Sequence, residues 1–316
     1  MISIDFDDKE RIGLRYVLDS LHLCSPFGQE RVRKLLFYTP NERAALEAEL
    51  GNTERAAASA DVLKPVYDRI MTVLCRLKDI RGSLRRLSEG AVLDHVELFE
   101  IKGFLMRIAD LRPLFDRMNE TAAIENLSFS DPEDALNVLD PERTRSRGFY
   151  IPDGASESLR AIRAEKKRLE ARLYEAPEAE KDAIRTERTR VCAEEETEER
   201  MIRAAMCKAL LPCVSAMQSD ADASGRLDFL IQKALFAVRY RCVRPEITET
   251  ALELTDMINP ELCDLLQKKG RSFVPVSIAA DSGATVITGA NMGGKSVAMK
   301  TIALNVLLMH AGFLVC

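Results

Sequence analysis

Eight residues near one end of the chain have the spacing of a phosphate-binding loop. They are Gly289-Ala290-Asn291-Met292-Gly293-Gly294-Lys295-Ser296, which fits G-x-x-x-x-G-K-[ST]. The chemistry calls for these residue types. Gly289, Gly293 and Gly294 let the backbone curl so that successive N–H groups face an anion. A helix opening at Lys295 turns the positive end of its dipole toward the same anion. Lys295 then reaches the β- and γ-phosphates as a point charge, and the Ser296 hydroxyl ligates Mg²⁺. The loop therefore predicts binding of ATP or a close analogue, together with Mg²⁺.

A loop of this kind needs a strand before it and a helix behind it. The β-branched run Ala284-Thr285-Val286-Ile287-Thr288 predicts the strand. The apolar run from Thr301 to Cys316 predicts a buried helix; it contains Asn305 and His310 and falls short of the roughly 18 residues a membrane span requires. Glu246 to Leu254 alternates and is Thr-rich, which predicts a further strand. Strand, glycine turn and helix in that order open an α/β domain.

Most of the remaining sequence has helical periodicity. The chain has 316 residues, 15 Gly, 12 Pro, no Trp and 6% aromatic content, a balance that favours helix over sheet. Thr39-Pro40-Asn41 predicts a helix start capped by Asn41, with Leu46 and Leu50 on one face. Val62, Val66, Ile70, Val73, Leu74 and Leu77 form a second stripe. A third, with Asp94 as cap, carries Val96, Phe99, Ile101, Leu105 and Ile108. Prolines and glycines cluster between 130 and 155 and predict a loop, with Phe149-Tyr150-Ile151 as a short strand. Leu159, Ile162, Leu169 and Leu173 then recur at three-and-four spacing, as in one strand of a coiled-coil arm interrupted at Pro177. The run from Glu178 to Arg203 is charged on nearly every face, which predicts a thinly packed, solvent-exposed helix or a partly disordered stretch. A polar Ser/Asp/Ala stretch, 219–225, predicts a turn.

The net charge of −5 gives no whole-molecule attraction for nucleic acid, so any such contact requires a local basic stripe. Arg160, Arg163, Lys166, Lys167, Arg168 and Arg172 are the candidate, but interleaved Glu157, Glu165 and Glu170 favour a solvated, salt-bridged face. The eight cysteines form no CxxC pair and, with three histidines, no ligand cluster. They read as reduced and mostly buried, which together with the lack of a secretory signal predicts a cytoplasmic protein with no membrane contact.

The segment SFVPVSI ending at Ile278, followed by VITGANMGGKSVAMKTIALNVLLMHAGFLV, resembles the start of the ATPase domain of the MutS family of DNA mismatch repair proteins. The Asn-Met-Gly-Gly-Lys-Ser core is more specific than the generic loop pattern. SPFGQERVRKLLFYTPNERAALEAEL, DIRGSLRRLSEG, YIPDGASESLRAIRAEKKRLEARL and LDFLIQKALFAVRYRCVRPEIT are similar, in order, to family segments upstream. The resemblance implies a mainly α fold, a helical core with a coiled-coil lever arm, followed by the start of an α/β P-loop ATPase domain. The implied divisions are a core at 1–130, a loop and charged arm at 131–203, return helices at 204–245 and the start of the ATPase domain at 246–316. Phe273 matches the aromatic that stacks on adenine. Gly289, Asn291, Met292, Gly293, Gly294, Lys295, Ser296 and Val297 match the phosphate loop, with Ser296 toward Mg²⁺.

The departures are specific. Val297 stands where the family usually has Thr, and Asn259-Pro260 where it often has His-Pro. No Phe-x-Glu triplet occurs, so mismatch reading by an aromatic wedge is not expected. The acidic Mg²⁺-binding strand, signature loop and dimerising helices of the family are not in this sequence. It therefore reads as a fragment that does not hydrolyse ATP, from a longer protein expected to act as an ATPase and a homodimer. The resemblance implies coupling of ATP binding to double-stranded DNA. The alternatives are a nucleotide-gated scaffold that does not bind DNA, and an unrelated ABC-type P-loop ATPase.

Overall fold

The computed structural model describes residues 10–146, 148–248, 251–281, 283–290 and 294–316. The helices, in chain order, begin with α1 (Leu14–Asp19), α2 (Pro26–Arg33), α3 (Arg43–Ala58), α4 (Ala60–Leu74), α5 (Arg81–Ser88), α6 (His95–Ala122) and α7 (Glu133–Leu139). There follow α8 (Glu157–Glu175), α9 (Glu178–Leu210), α10 (Val214–Tyr240), strand β1 (Leu252–Met257), α11 (Pro260–Lys268), strand β2 (Val276–Ala280) and α12 (Lys295–His310). The protein is mainly helical, as expected. Contacts group the chain into two units. One comprises Met1–Arg76, Leu111–Ser128 and Asp222–Cys316, the other Leu77–Asp110 and Phe129–Ala221.

The first unit is built on the apolar faces of α1, α10 and α12. Leu14, Val17, Phe229, Phe236, Leu304 and Leu308 are buried together, and Phe313 meets Phe229 and Phe236 edge to face. Leu46 and Leu50 of α3 pack beside this cluster with Ala237 and Leu314. The start of α3 differs in detail from the expected Asn41 cap. Thr39 and Glu42 form a reciprocal capping box around a short 3-10 turn, Pro40–Glu42, that leads into α3. Proline at the first position of that turn gives up no hydrogen bond there, so Thr39 takes the cap.

The expected turn at 219–225 is instead the interior of α10. Its polar residues bond to neighbouring segments, which is why they read as a turn in sequence. The Asp228 carboxylate accepts from the Ser25 N–H at 2.7 Å, the Ser25 hydroxyl at 2.7 Å and the Cys24 N–H at 3.0 Å. The hydroxyl so held accepts from Gly28 N at 2.9 Å and caps α2. Burial pushes Asp228 above the ordinary carboxylate range despite these donors. Gly225 lets α10 approach α2, since a Cβ there would lie 2.9 Å from the Phe27 carbonyl carbon.

In the second unit the Asp94 cap forms as expected, accepting from Glu97 N at 2.8 Å. The apolar face of α6 is Leu98, Ile101, Leu105 and Ile108; Val96 and Phe99, expected within it, are 63% and 43% exposed. Phe149-Tyr150-Ile151 is irregular rather than a strand, with Ile151 buried. Lys102 and Asp140 are both buried and lie 3.3 Å apart, and Asp140 also accepts from Arg145 N and the Thr144 hydroxyl.

Helices α8 and α9 run antiparallel, joined by Ala176-Pro177. The direction is read from the pairings, in which higher-numbered residues of α8 meet lower-numbered residues of α9: Ser156 with Glu198, Arg163 with Glu195, and Glu170 with Arg188. Leu169, Ile184 and Val191 are buried in the seam. The charged run Glu178–Arg203, expected as a thinly packed, solvent-exposed helix or a partly disordered stretch, is a largely exposed helix, part of a continuous helix of 33 residues. Its stability comes from pairing along the hairpin, which a reading of that run in isolation does not reveal.

Candidate phosphate-binding loop

Helix α12 begins at Lys295, where the loop motif places it. Gly294 precedes it in the left-handed region, φ 84° and ψ 4°, a conformation that glycine takes without a Cβ penalty. No side chain caps this end. The first helical bond runs from Ala298 N to Gly294 O at 2.9 Å, so the N–H groups of Lys295, Ser296 and Val297 have no acceptor within the helix. Lys295 folds back toward Gly289, and its Nζ donates to Gly289 O at 2.5 Å. Two ends of the motif, six residues apart, are thereby brought together. Ser296 is exposed, and Val297 O accepts from the Thr301 hydroxyl at 2.8 Å.

Asn291, Met292 and Gly293 lie outside the described residues. Phe273 lies half-buried in an irregular stretch before β2, and the structure gives it no hydrogen bond or ring contact to Gly289 or Lys295. The strand expected at Ala284–Thr288 is absent: residues 284–290 are exposed and have no regular secondary structure. A strand of that apolar composition belongs inside a sheet with neighbours on both edges. The sheet among the described residues is the antiparallel pair β1–β2, with a bulge between Leu254 and Met257. The strand expected at Glu246–Leu254 is realised a few residues later, as β1.

The far end of α12 is held tightly. Asn305, fully buried, donates from its amide to Ile258 O at 3.1 Å and to Thr301 O at 3.0 Å, and accepts from Cys316 N at 2.7 Å. His310 O accepts from Tyr38 N at 2.7 Å. After the helix, Gly312 O accepts from Lys233 Nζ at 2.9 Å and from the Thr53 hydroxyl at 3.3 Å. Lys233 has no exposed side-chain surface and pairs with Glu49. Burial works to raise Glu49, but the adjacent ammonium outweighs it and holds the carboxyl below its ordinary value. Asn259-Pro260, the departure from His-Pro, opens α11: Asn259 Oδ1 accepts from Leu262 N at 3.3 Å and Pro260 takes the first helical position. In α11, Asp264 collects Tyr16, Arg239 and Tyr240 at 2.6, 2.7 and 2.9 Å.

Sequence reasoning missed these anchors. Lys233 and Asn305 each interrupt an apolar helical run, which is the signal that could have exposed them. The expectation that every cysteine is reduced is also corrected. Val243 and Val315 exchange both backbone hydrogen bonds, at 2.8 and 2.9 Å. That pairing sets Cys242 beside Cys316, and the two form a disulfide across a sequence separation of 74. No spacing rule could have paired them. The other six cysteines are free.

Of the candidate basic stripe, Arg163 and Lys166 are half-buried, while Arg160, Lys167, Arg168 and Arg172 are exposed. Arg163 pairs with Glu195 at 3.0 Å, Glu199 at 2.8 Å and Asp153 at 2.5 Å, and Lys166 pairs with Glu195 at 2.5 Å. Arg168 pairs with Glu165 at 2.7 Å on its own helix. These contacts are the salt-bridged face that the interleaved glutamates favour. No described helix is long and apolar enough to cross a membrane.

No family model matches the chain. Individual proteins do. An endonuclease MutS2 of Streptococcus agalactiae is 27% identical over 254 residues, covering 78% of this chain and 30% of that protein. A putative endonuclease MutS2 of Bacillus subtilis is 24% identical, covering 82% of this chain and 41% of its own length. A DNA mismatch repair protein MutS of Haloquadratum walsbyi is 39% identical over 99 residues, 31% of this chain and 10% of that protein. The chain thus spans less than half the length of these relatives. Their shared naming, at 24% to 39% identity, accords with the loop residues and the helical architecture: the chain is related to the MutS family.

Proposed function

We propose that this chain supplies the helical core and nucleotide loop of a MutS-like protein that couples ATP binding to duplex DNA binding, in mismatch repair or a related DNA transaction. The observation that carries the reading is the motif Gly289–Ser296 at the uncapped start of a helix whose other end is fixed in the core. Three amides with no acceptor within the helix, a left-handed glycine and a lysine bonded to Gly289 suit a triphosphate. Lys295 exchanges its neutral carbonyl acceptor for phosphate oxygens, a stronger charge-assisted bond. Ser296 presents its hydroxyl to Mg²⁺, and Val297 contributes its amide. Asn291, Met292, Gly293 and Gly294 complete the cradle, and Phe273 stacks on the base. Bound MgATP supplies the phosphoryl group and neutralises part of its charge; this chain binds and orients it.

The proposed divisions are a core over 1–130, an arm over 131–203, return helices over 204–245 and a nucleotide head opening at 246. The longer protein acts in the cytoplasm as a homodimer with ATPase activity. A second reading, a nucleotide-gated scaffold without DNA binding, draws on one observation: Arg163 and Lys166 are already paired with Glu195 and Glu199. The relationship to MutS sets aside an unrelated ATPase. A salt titration of duplex DNA binding by the full-length protein, with and without ATP, separates the two readings. DNA coupling predicts log K falling against log salt by about 0.9 per phosphate neutralised, and an ATP-dependent affinity that Lys295→Ala removes. No binding at low salt, in either nucleotide state, leaves the scaffold.

A further inference from the structure

The disulfide lies behind the nucleotide helix rather than in the remote loops where a structural clip would stabilise a small domain. Cys316 is held at three points. Its N–H donates to Asn305 of α12, its carbonyl accepts from Ile258 N at 2.9 Å, and its sulfur is joined to Cys242, two residues past α10. Val243 and Val315 form a hydrogen-bonded antiparallel pair, so Cys242 and Cys316 occupy the adjoining non-hydrogen-bonded position, where facing side chains lie closest. Their Cα atoms are 4.1 Å apart. The two sulfurs therefore stay neighbours whether or not they are bonded, because the backbone pair and the Asn305 contact hold them there independently. Both residues are half-buried, and the adjoining Val243 is 64% exposed, so a small thiol can reach the bond.

We propose that Cys242 and Cys316 form a reversible redox latch that fastens the segment following the nucleotide helix to the end of α10. In the reduced state both carry thiols. A low-molecular-weight disulfide accepts two electrons from the pair: one cysteine thiolate attacks it, releasing one small thiol and leaving a mixed disulfide. The second cysteine displaces the other small thiol, and the two protons end on the released thiols. A dithiol reductant reverses both steps. Among the free cysteines, burial raises Cys207, Cys213 and Cys263 above the ordinary thiol value and Cys24 to about 12, which leaves these four little thiolate for exchange. Closing the latch ties α12 to α10 covalently. Opening it leaves that point to the hydrogen bonds of Cys316 with Asn305 and Ile258 and to the Val243–Val315 pair. The latch itself stands on geometry; its effect on nucleotide rests on the proposed function.

The test equilibrates the full-length protein in glutathione buffers of graded poise. Differential alkylation with mass spectrometry counts the Cys242–Cys316 linkage, and hydrogen exchange follows amides 301–316. The latch predicts a linkage that opens and closes with poise, and exchange in that segment several-fold faster when it is open. Cys242→Ser should exchange at the open rate under all poises, whereas Cys24→Ser should retain the redox response. Reduced wild-type protein provides the same comparison if Cys242→Ser does not fold. Failure to find the linkage at any poise, or equal exchange in both states, overturns the proposal. MgATP affinity is read in the same samples and should differ several-fold between the states. Absence of MgATP binding in both states counts against the proposed function, while the exchange data still decide the latch.

Discussion

Replacing Lys233 with methionine probes what fixes the far end of α12. Lys233 has no exposed side-chain surface, and its ammonium is shared by Glu49 and Gly312 O, with the Phe229 ring centroid 4.9 Å away. Methionine fills the same space but removes the charge. Glu49 is then left with 21% side-chain exposure and without its ion-pair partner, and Gly312 O keeps the Thr53 hydroxyl at 3.3 Å. Breaking one side of a buried ion pair costs about 3–5 kcal/mol, and the partial exposure of Glu49 places this case near about 3. At the sensitivity of domains somewhat smaller than this chain, that corresponds to a fall in Tm of roughly 6–12 °C. Glu49→Gln strands the lysine instead and should cost at least as much. The double variant Lys233→Met/Glu49→Gln leaves no uncompensated charge and should return to within about 1–2 kcal/mol of wild type. Urea denaturation followed by circular dichroism, run as a double-mutant cycle, measures the coupling. A single-variant cost under about 1 kcal/mol, or costs that simply add, would refute the reasoning.

Three further outcomes follow from the same packing. Gly225→Ala should destabilise by about 1–3 kcal/mol, because the new methyl meets Phe27 backbone at 2.9 Å; Gly103→Ala, inside α6 with open space around it, should stabilise by about 0.4–1 kcal/mol in the same melts. Glu195, which burial would raise, is instead pulled down by Lys166 and Arg163; Glu49 and Asp264 are likewise lowered by their partners. For groups lowered on folding, the stability is present above the unfolded carboxylate value near 4.5 and is lost as pH falls through the folded values. Tm should therefore hold above about pH 5 and drop below about pH 4, and Glu195→Gln should flatten that drop. Asn305→Leu should loosen the segment after α12 at Cys316, seen as faster amide exchange there, because its N–H loses its acceptor at 2.7 Å.

How much of this was legible in the sequence depends on the range of the interaction involved. The start of α12 at Lys295 and the Asp94 cap are local, set by residues within one turn, and both were readable. The stripe over α6 was half readable. Leu98 belongs to its buried face, whereas Val96 and Phe99 fall outside it, because period alone does not say which side of a helix meets the core. The exposed helix at Glu178–Arg203 was readable as one of two alternatives, whereas its antiparallel pairing with α8, which turns its charges into hairpin contacts, was not. Non-local partners were invisible. Asp228 reaches Ser25 across 203 residues, Lys233 reaches Glu49 across 184, and Cys242 reaches Cys316 across 74. The strand expected before the loop failed for a related reason, since β-branched composition specifies a strand only where a neighbouring strand can pair with it.

Calorimetric titration of MgATP into the full-length protein, beside Lys295→Ala, tests the central claim most directly. Saturable binding at one site per chain, weakened at least tenfold in the variant with Tm unchanged, is the predicted result. Equal heats for the two proteins, or none for either, would contradict a triphosphate site at the start of α12.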